Sequence, residues 1–314
     1  MLIEHAIAGP VRPPFPIHES LVESFLSAHA AGVDGRDATV AHALGMVAGY
    51  SYADSATLAT MVGRVGLAGS HCTRISQTVD AMYIFATAYL VQSACGRVVI
   101  LAFRGTELAN VGNWLADVDV GDESVALACA AGASARVHAG FMRNLRAVRL
   151  EVLEHLRDPR MQALFVTGHS LGGALASLFA LTLDDAAIAD RLRAVYTFGQ
   201  PLAVGGPLPP GATPVAARIV RHVLPRDPIP ALPLTSWGRL EHHGVEYGFA
   251  EGEWRQNSEA TRQMSGLWRA SRSLSGLFAS EARRKKLKYT LTEHGPHKYL
   301  AALRPAGRIT EFGD

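Results

Sequence analysis

Cysteine is scarce in this 314-residue chain: Cys72, Cys95 and Cys129 are its three, odd in number, scattered and without a C-x-x-C pair. That poverty argues against a disulfide framework and against a structural zinc site. An excess of one charge is missing too. Thirty Lys and Arg face 28 Asp and Glu for a net +2, and the basic residues do not interleave with aromatics along a strand, so no nucleic-acid partner is indicated. The opening residues, MLIEHAIAGPVRPPFP, carry an acid at Glu4 and no long apolar core, which argues against a secretory signal and makes a cytoplasmic location the expectation. Internal repeats and low-complexity tracts are absent. So is an uninterrupted membrane span: Met161 to Leu183 is long and nearly uncharged, but Gly168, His169, Ser170, Gly172 and Gly173 sit at its middle, where a spanning helix would be weakest.

What that stretch does hold, in MQALFVTGHSLGGALASLFALTL, is the pattern of a nucleophile elbow. Leu164 to Val166 read as a buried strand, the run after Gly172 as a buried helix, and between them a tight turn lifts Ser170. Such a turn strains its central residue, so its flanks must be nearly bare. Gly168 and Gly172 let strand and helix pass each other with the Ser170 hydroxyl clear of both. The backbone N–H of Leu171, at the positive end of the helix, then faces the place where an oxyanion would develop. The competing reading is an ordinary glycine-rich turn between a core strand and helix.

Hydrophobic residues make up 48% of the chain, enough for one main domain, assigned to 37–314, after a proline-rich extension, 1–36, that holds a short helix from Ser20 to Ala31. Helical spacing from Ala38 to Gly69 allows a second helix capped by Asp54 or Ser55. Strands are expected at Ala81 to Tyr89, Arg97 to Phe103, Ala194 to Gly199 and Arg218 to Leu224, with a helix at Asn144 to Leu156. VVILAF, at the centre of the second strand, is the continuous apolar run of a central position.

Six short blocks then share one order: FRGTE from Phe103, NWLADV from Asn113, VHAGF from Val137, GHSLGGALA from Gly168, TFGQP from Thr197 and DPIP from Asp227. Together, over about residues 40 to 303, they resemble the class 3 (fungal-type) lipase family. The resemblance implies an α/β-hydrolase fold, with a mostly parallel central sheet and helices on both faces. It also implies a serine ester hydrolase acting on lipid esters such as acylglycerols through an acyl-enzyme, with no metal or organic cofactor. At the position of Thr106 the family places a second oxyanion-hole contact; independently, a polar residue after a strand and a glycine lies where open α/β sheets bind ligands. Thr106 as a plain turn residue is the alternative. Residues 107–119 would be the family's lid, or else a core-facing helix. Arg104 needs a partner, expected in Asp117 or Asp119, and His138 is read as orienting backbone.

A serine hydroxyl needs an imidazole to take its proton and a carboxylate to fix the imidazole's tautomer. Asp184 and Asp185 lie past a helix of about a dozen residues, roughly 20 Å from Ser170, and are excluded. Asp227 sits just past a strand's carboxyl end, in a loop stiffened by Pro228 and Pro230; it is read as the acid, which the family places in this block, the alternative being a turn-capping residue. His242 and His243 fall in HHGVE, which resembles a family block that does not supply the base. His294 matches the family's base block through the acid before it and Tyr299 after it. Because Glu293 replaces the usual aspartate and Pro296 intervenes, His297 stays open as the alternative.

Between these blocks, residues 259–288 combine Met264, Leu267, Trp268, Leu274, Leu277 and Phe278 at helical spacing with eight Lys and Arg. Either the segment packs on the domain with a solvated basic face, or it makes peripheral contact with a lipid or membrane surface. Beside the lipid-ester hydrolase stand two further readings. One is a phospholipase or acyltransferase with the same triad; the other is a non-catalytic binding protein, which predicts a missing triad residue.

Overall fold

The computed structural model describes residues 15–28, 37–82, 84–106, 121–130, 132–232, 240–257 and 292–312. Both the lid reading of 107–119 and the basic segment 259–288 fall outside these, as do Asp117 and Asp119.

The sequence elements assemble around VVILAF. This strand, β3 (Val98–Phe103), is buried at every position, and its alternate side chains serve two cores. Val99, Leu101 and Phe103 join one apolar cluster, while Val98, Ile100 and Ala102 join the other. A strand buried on both faces belongs at the middle of a sheet covered by helices on both sides. That is where it lies, in an eight-stranded sheet ordered β1-β2-β3-β6-β7-β9-β11-β12. The parallel centre is β3, β6 (Ala163–His169), β7 (Leu192–Phe198), β9 (Ile219–Val223) and β11 (Val245–Ala250). Antiparallel β1 (His71–Val79), β2 (Ile84–Gln92) and β12 (Glu253–Gln256) complete its two flanks. A second, four-stranded sheet holds β4 (Asp122–Ala126), β5 (Ser134–His138), β8 (Val204–Gly205) and β10 (Leu240–Glu241).

Helices α1 (Leu21–Ser27), α2 (Ala38–Tyr50) and α3 (Ser55–Val62) supply one core, α4 (Ala139–His155) and α5 (Leu171–Leu181) the other, and α6 (Pro296–Leu303) returns to the first. Asp54 caps α3 by accepting from the N–H groups of Ala56 and Thr57. His138 caps α4 by accepting from Phe141 N–H, the backbone-orienting role expected of it. Among the described residues no helix is long and apolar enough to cross a membrane.

The expected first strand, Ala81 to Tyr89, is displaced: β2 begins at Ile84 and a strand not foreseen, β1, precedes it. HCTRISQTV buries only Ile75 because it is an edge strand, so it carries no apolar alternation to read. The short first helix ends at Ser27, and Ile17, Leu21 and Phe25 are buried, so residues 15–28 wrap the domain. Phe25 packs on Phe165 of β6 with ring centroids 4.8 Å apart.

One ion pair fixes strand register near the site. Arg221 of β9 lies directly opposite Glu246 of β11, joined at 2.9 Å with exposures of 1% and 3%. Glu246 also accepts from the Asn257 amide at 2.8 Å, and Arg221 Nε donates to His243 O at 3.2 Å. Removing one member leaves the other charge buried. Glu246→Ala is therefore expected to cost about 3–5 kcal/mol, read as a lower urea midpoint; an unchanged midpoint would contradict it.

Candidate active site

Ser170 sits between the end of β6 and the start of α5 with φ 59° and ψ −130°, a conformation that costs of order 1–3 kcal/mol for a side-chain-bearing residue. The surroundings impose it. Ser170 N–H donates to Phe198 O at 2.9 Å, tying the turn to β7. A Cβ on Gly168 would run into the Gly172 backbone, and one on Gly172 into the Phe103 carbonyl. Strand, turn and helix thus meet at van der Waals contact, and only glycine fits on either side of the serine. Leu171 contributes the first N–H of α5, among those a helix cannot satisfy internally. In the neighbouring rung Phe103 pairs with Gly168, so Thr106 and Ser170 leave the sheet side by side. Gly105, just before Thr106, lies against the His169 carbonyl.

Asp227 and His294 are both 0% exposed. The Asp227 carboxylate accepts three hydrogen bonds: from His294 Nδ1–H at 2.8 Å and the Tyr299 hydroxyl at 2.5 Å on one oxygen, and from Ile229 N–H at 2.9 Å on the other. Nδ1 is the donor, because an acceptor-only carboxylate leaves no other choice, so His294 Nε2 carries a lone pair when the ring is neutral. Nε2 is buried and has no hydrogen-bond partner among the described residues. The acid–histidine link is therefore formed in this structure, and the histidine–serine hydrogen bond is not. Of the two candidate histidines, His294 is on Asp227 and His297 is exposed. The excluded aspartates do other work: Asp184 pairs with Arg149 at the surface and Asp185 caps the one-turn helix Ala186–Ala189. His242 Nε2–H donates to Pro230 O at 2.6 Å, bracing the loop that carries Asp227.

Four residues given no role by the sequence reading shape this centre. His169 Nε2 lies 2.7 Å from the His294 carbonyl, which can only accept; Nε2 therefore carries the proton and Nδ1, 2.9 Å from the Tyr52 hydroxyl, accepts. Tyr52 thus reaches the elbow from the end of α2, and the Arg104 guanidinium stands over its ring, 5.9 Å from the centroid. The Tyr299 hydroxyl also accepts from Leu224 N–H at 3.3 Å, stapling α6 to the end of β9. Gly199 has φ +60°, and a Cβ there would lie 2.7 Å from Asp227 Oδ2 and 2.9 Å from His294 Cε1. Glycine at 199 was visible within TFGQP, and Tyr299 within the base block. Tyr52 left no sequence signal, since its partner is 117 residues away.

Burial, and then the neighbouring His294, hold His169 well below the usual imidazole range, and burial beside Arg308 lowers His18 as well. Both are depressed, so the sign is fixed: above about pH 6.5 folded and unfolded rings are alike neutral, and below it the unfolded chain binds protons first. Stability should fall as pH drops from about 6.5 toward the folded values, by up to about 1.4 kcal/mol per unit for each ring. Urea midpoints measured between about pH 7.5 and 5 check this; a flat profile would contradict it. No cluster of three His, Cys, Asp or Glu able to hold a metal occurs among the described residues.

The family model "Lipase (class 3)" matches residues 100–237, a range that includes Thr106, the elbow and Asp227. The lipase of Rhizomucor miehei is 31% identical over 183 residues, covering 55% of this chain and 48% of that protein. The secreted mono- and diacylglycerol lipase 2 of Gibberella zeae is 34% identical over 126 residues, 35% of this chain and 30% of its own. The chain thus spans about half or less of the length of these curated relatives. Among solved structures, Rhizomucor miehei triacylglyceride lipase superposes with a TM-score of 0.55 at 22% identity, over 72% of this chain and 88% of that one. Lipase II of Rhizopus niveus gives 0.55 at 21%, over 72% and 89%. Those identities speak to the fold alone. The ordered motifs, the parallel sheet and the elbow agree with that match: the chain has an α/β-hydrolase fold and over residues 100–237 is similar to the class 3 lipases.

Proposed function

We propose that this protein hydrolyses lipid esters through an acyl-enzyme on Ser170. In this reading Ser170 Oγ attacks the ester carbonyl, and His294 Nε2 takes its proton and returns it to the leaving alcohol. Asp227 holds the imidazole tautomer and stabilises the imidazolium, while the backbone N–H groups of Thr106 and Leu171 bind the oxyanion. Water then repeats the sequence and frees the acid. The observation that carries the proposal is the buried Asp227–His294 pair, with Nδ1 spent on the carboxylate and Nε2 left as a base beside the elbow. Serine–histidine hydrogen bonds of this kind commonly tighten only with substrate.

The relatives carry the names lipase and mono- and diacylglycerol lipase, which favours acylglycerols as the substrate class. A panel of p-nitrophenyl esters and acylglycerols tests the reading together with a fluorophosphonate probe. Fatty acid release and labelling at Ser170 are expected. A folded protein that neither turns over any ester nor labels at Ser170 would refute it.

A further inference from the structure

The β1–β2 hairpin is longer than the sheet it borders. Ala88 of β2 pairs with Phe103 of β3, and Phe103 with Gly168 of β6, so these three residues share one rung. Beyond that rung the chain after β3 keeps one bond to β2, Arg104 N–H to Thr87 O at 2.9 Å, and then leaves the sheet, while β6 runs on to Ser170. Since β2 is antiparallel to β3, its residues before Ala88 extend in the same direction, paired with β1 as far as Ile84 opposite Val79. Four residues of β2 therefore overhang the rung, about 13 Å at the usual rise of a strand, at the end of the sheet that carries the elbow.

That overhang ends in apolar surface. Val79, Met82 and Phe85 are 41%, 51% and 57% exposed. Thr78 opposes Phe85 and Val79 opposes Ile84, so Phe85 and Val79 point to opposite faces of the ribbon, and Met82 occupies the turn. The tip is consequently a wedge with apolar side chains on each face and at its end, where a protein-docking patch would have one flat face. Leu150 and Phe312, the other large apolar side chains exposed among the described residues, stand singly on α4 and beside Glu311.

The wedge is also held in place. Asn144 of α4 accepts from Phe85 N–H at 2.9 Å, covering the strand edge that β3 has left, and is itself fixed by donating to Gly140 O at 2.9 Å. Arg143 donates to Met82 O at 3.1 Å. On the strands, Ser76 and Thr87 join their hydroxyls at 2.9 Å. Such bracing lowers the ordering cost of binding. Among the described residues Asp80 stands in the turn of the tip and Arg143 is bonded to it, one charge of each sign, which suits an uncharged or zwitterionic surface better than a strongly charged one.

We propose that the tip formed by Val79, Met82 and Phe85 inserts into the surface of a lipid aggregate and docks the molecule with the Ser170 end of its sheet toward the lipid. The choice of lipid as occupant rests on the ester-hydrolase reading; the wedge itself does not.

The test is flotation of the full chain with phosphatidylcholine vesicles at low and high salt, alongside hydrolysis of a water-soluble short-chain p-nitrophenyl ester. Met82→Ser with Phe85→Ser should weaken vesicle partitioning at least about tenfold, with little salt dependence, and leave kcat/KM on the soluble ester unchanged. Leu150→Ser, which removes a still more exposed apolar side chain elsewhere, should leave partitioning unchanged. A Met82→Trp variant gives a second readout, through added emission that shifts to the blue on vesicles. A parent protein that does not partition, a double variant that partitions like the parent, or an emission of the Met82→Trp variant that vesicles leave unshifted each overturns the proposal. So does a lipid-free dimer that the double variant abolishes, since the tip would then serve a second copy of this chain. A protein that binds vesicles through the tip yet turns over no ester and does not label at Ser170 supports the anchor and refutes the ester-hydrolase reading.

Discussion

Replacing Ser170 with alanine is expected to lower kcat for ester hydrolysis by about 10⁴- to 10⁶-fold while the protein stays folded. The size of the loss follows from what the side chain does: without the hydroxyl no acyl-enzyme forms, and what remains is the contribution of the oxyanion donors and of substrate binding. The fold should survive because Ser170 is held by its backbone, through the N–H to Phe198 O, and not by a hydrogen bond from its side chain to His294. The positive φ at 170 is tolerated by alanine no worse than by serine. Circular dichroism and urea midpoints near those of the parent, together with lost turnover, are the expected pair of results. Near-normal turnover would remove Ser170 from the mechanism.

Asp227→Asn is expected to cost about 10⁴ in kcat by a different route. The aspartate oxygen that faces His294 Nδ1–H at 2.8 Å would become an amide NH₂, a donor facing a donor. The imidazole would answer by moving its proton to Nε2, which leaves no lone pair toward the serine. The amide oxygen can still accept from Ile229 N–H, so the loop keeps its shape and the loss falls on kcat and not on expression. Activity that partly recovers as pH is raised would fit a tautomer defect. A variant with parental kcat would show that the carboxylate only builds the loop.

The parallel core was legible because its strands are buried on both faces: runs such as VVILAF and LFV need no alternation and are bounded by glycine and polar residues. The elbow was legible because two glycines must flank the serine wherever a strand turns directly into a helix. Asp227 could be singled out by its place directly after a strand, whereas choosing between His294 and His297 depended on which ring lies beneath the chain, and Gly295 and Pro296 between them say nothing of that. Burial separates them. The edge strand β1 was not legible, since a solvated ribbon of mixed polar and β-branched residues has no period tied to a core. The contacts of Tyr52 and His169 were invisible for a related reason: each partner lies more than a hundred residues off in the chain, and no local pattern encodes the encounter.

The place of His294 in the chain has a consequence for synthesis. It stands immediately before α6, which rests on α2 through Leu303 against Gly45 and is tied to β12 by Trp254 Nε1–H donating to Ala302 O at 2.8 Å. A chain emerging from the ribosome can complete the sheet and present the elbow serine well before this helix is released. Under the proposed mechanism Ser170 would have no base beside it during that interval, so the nascent protein should be chemically silent until α6 docks.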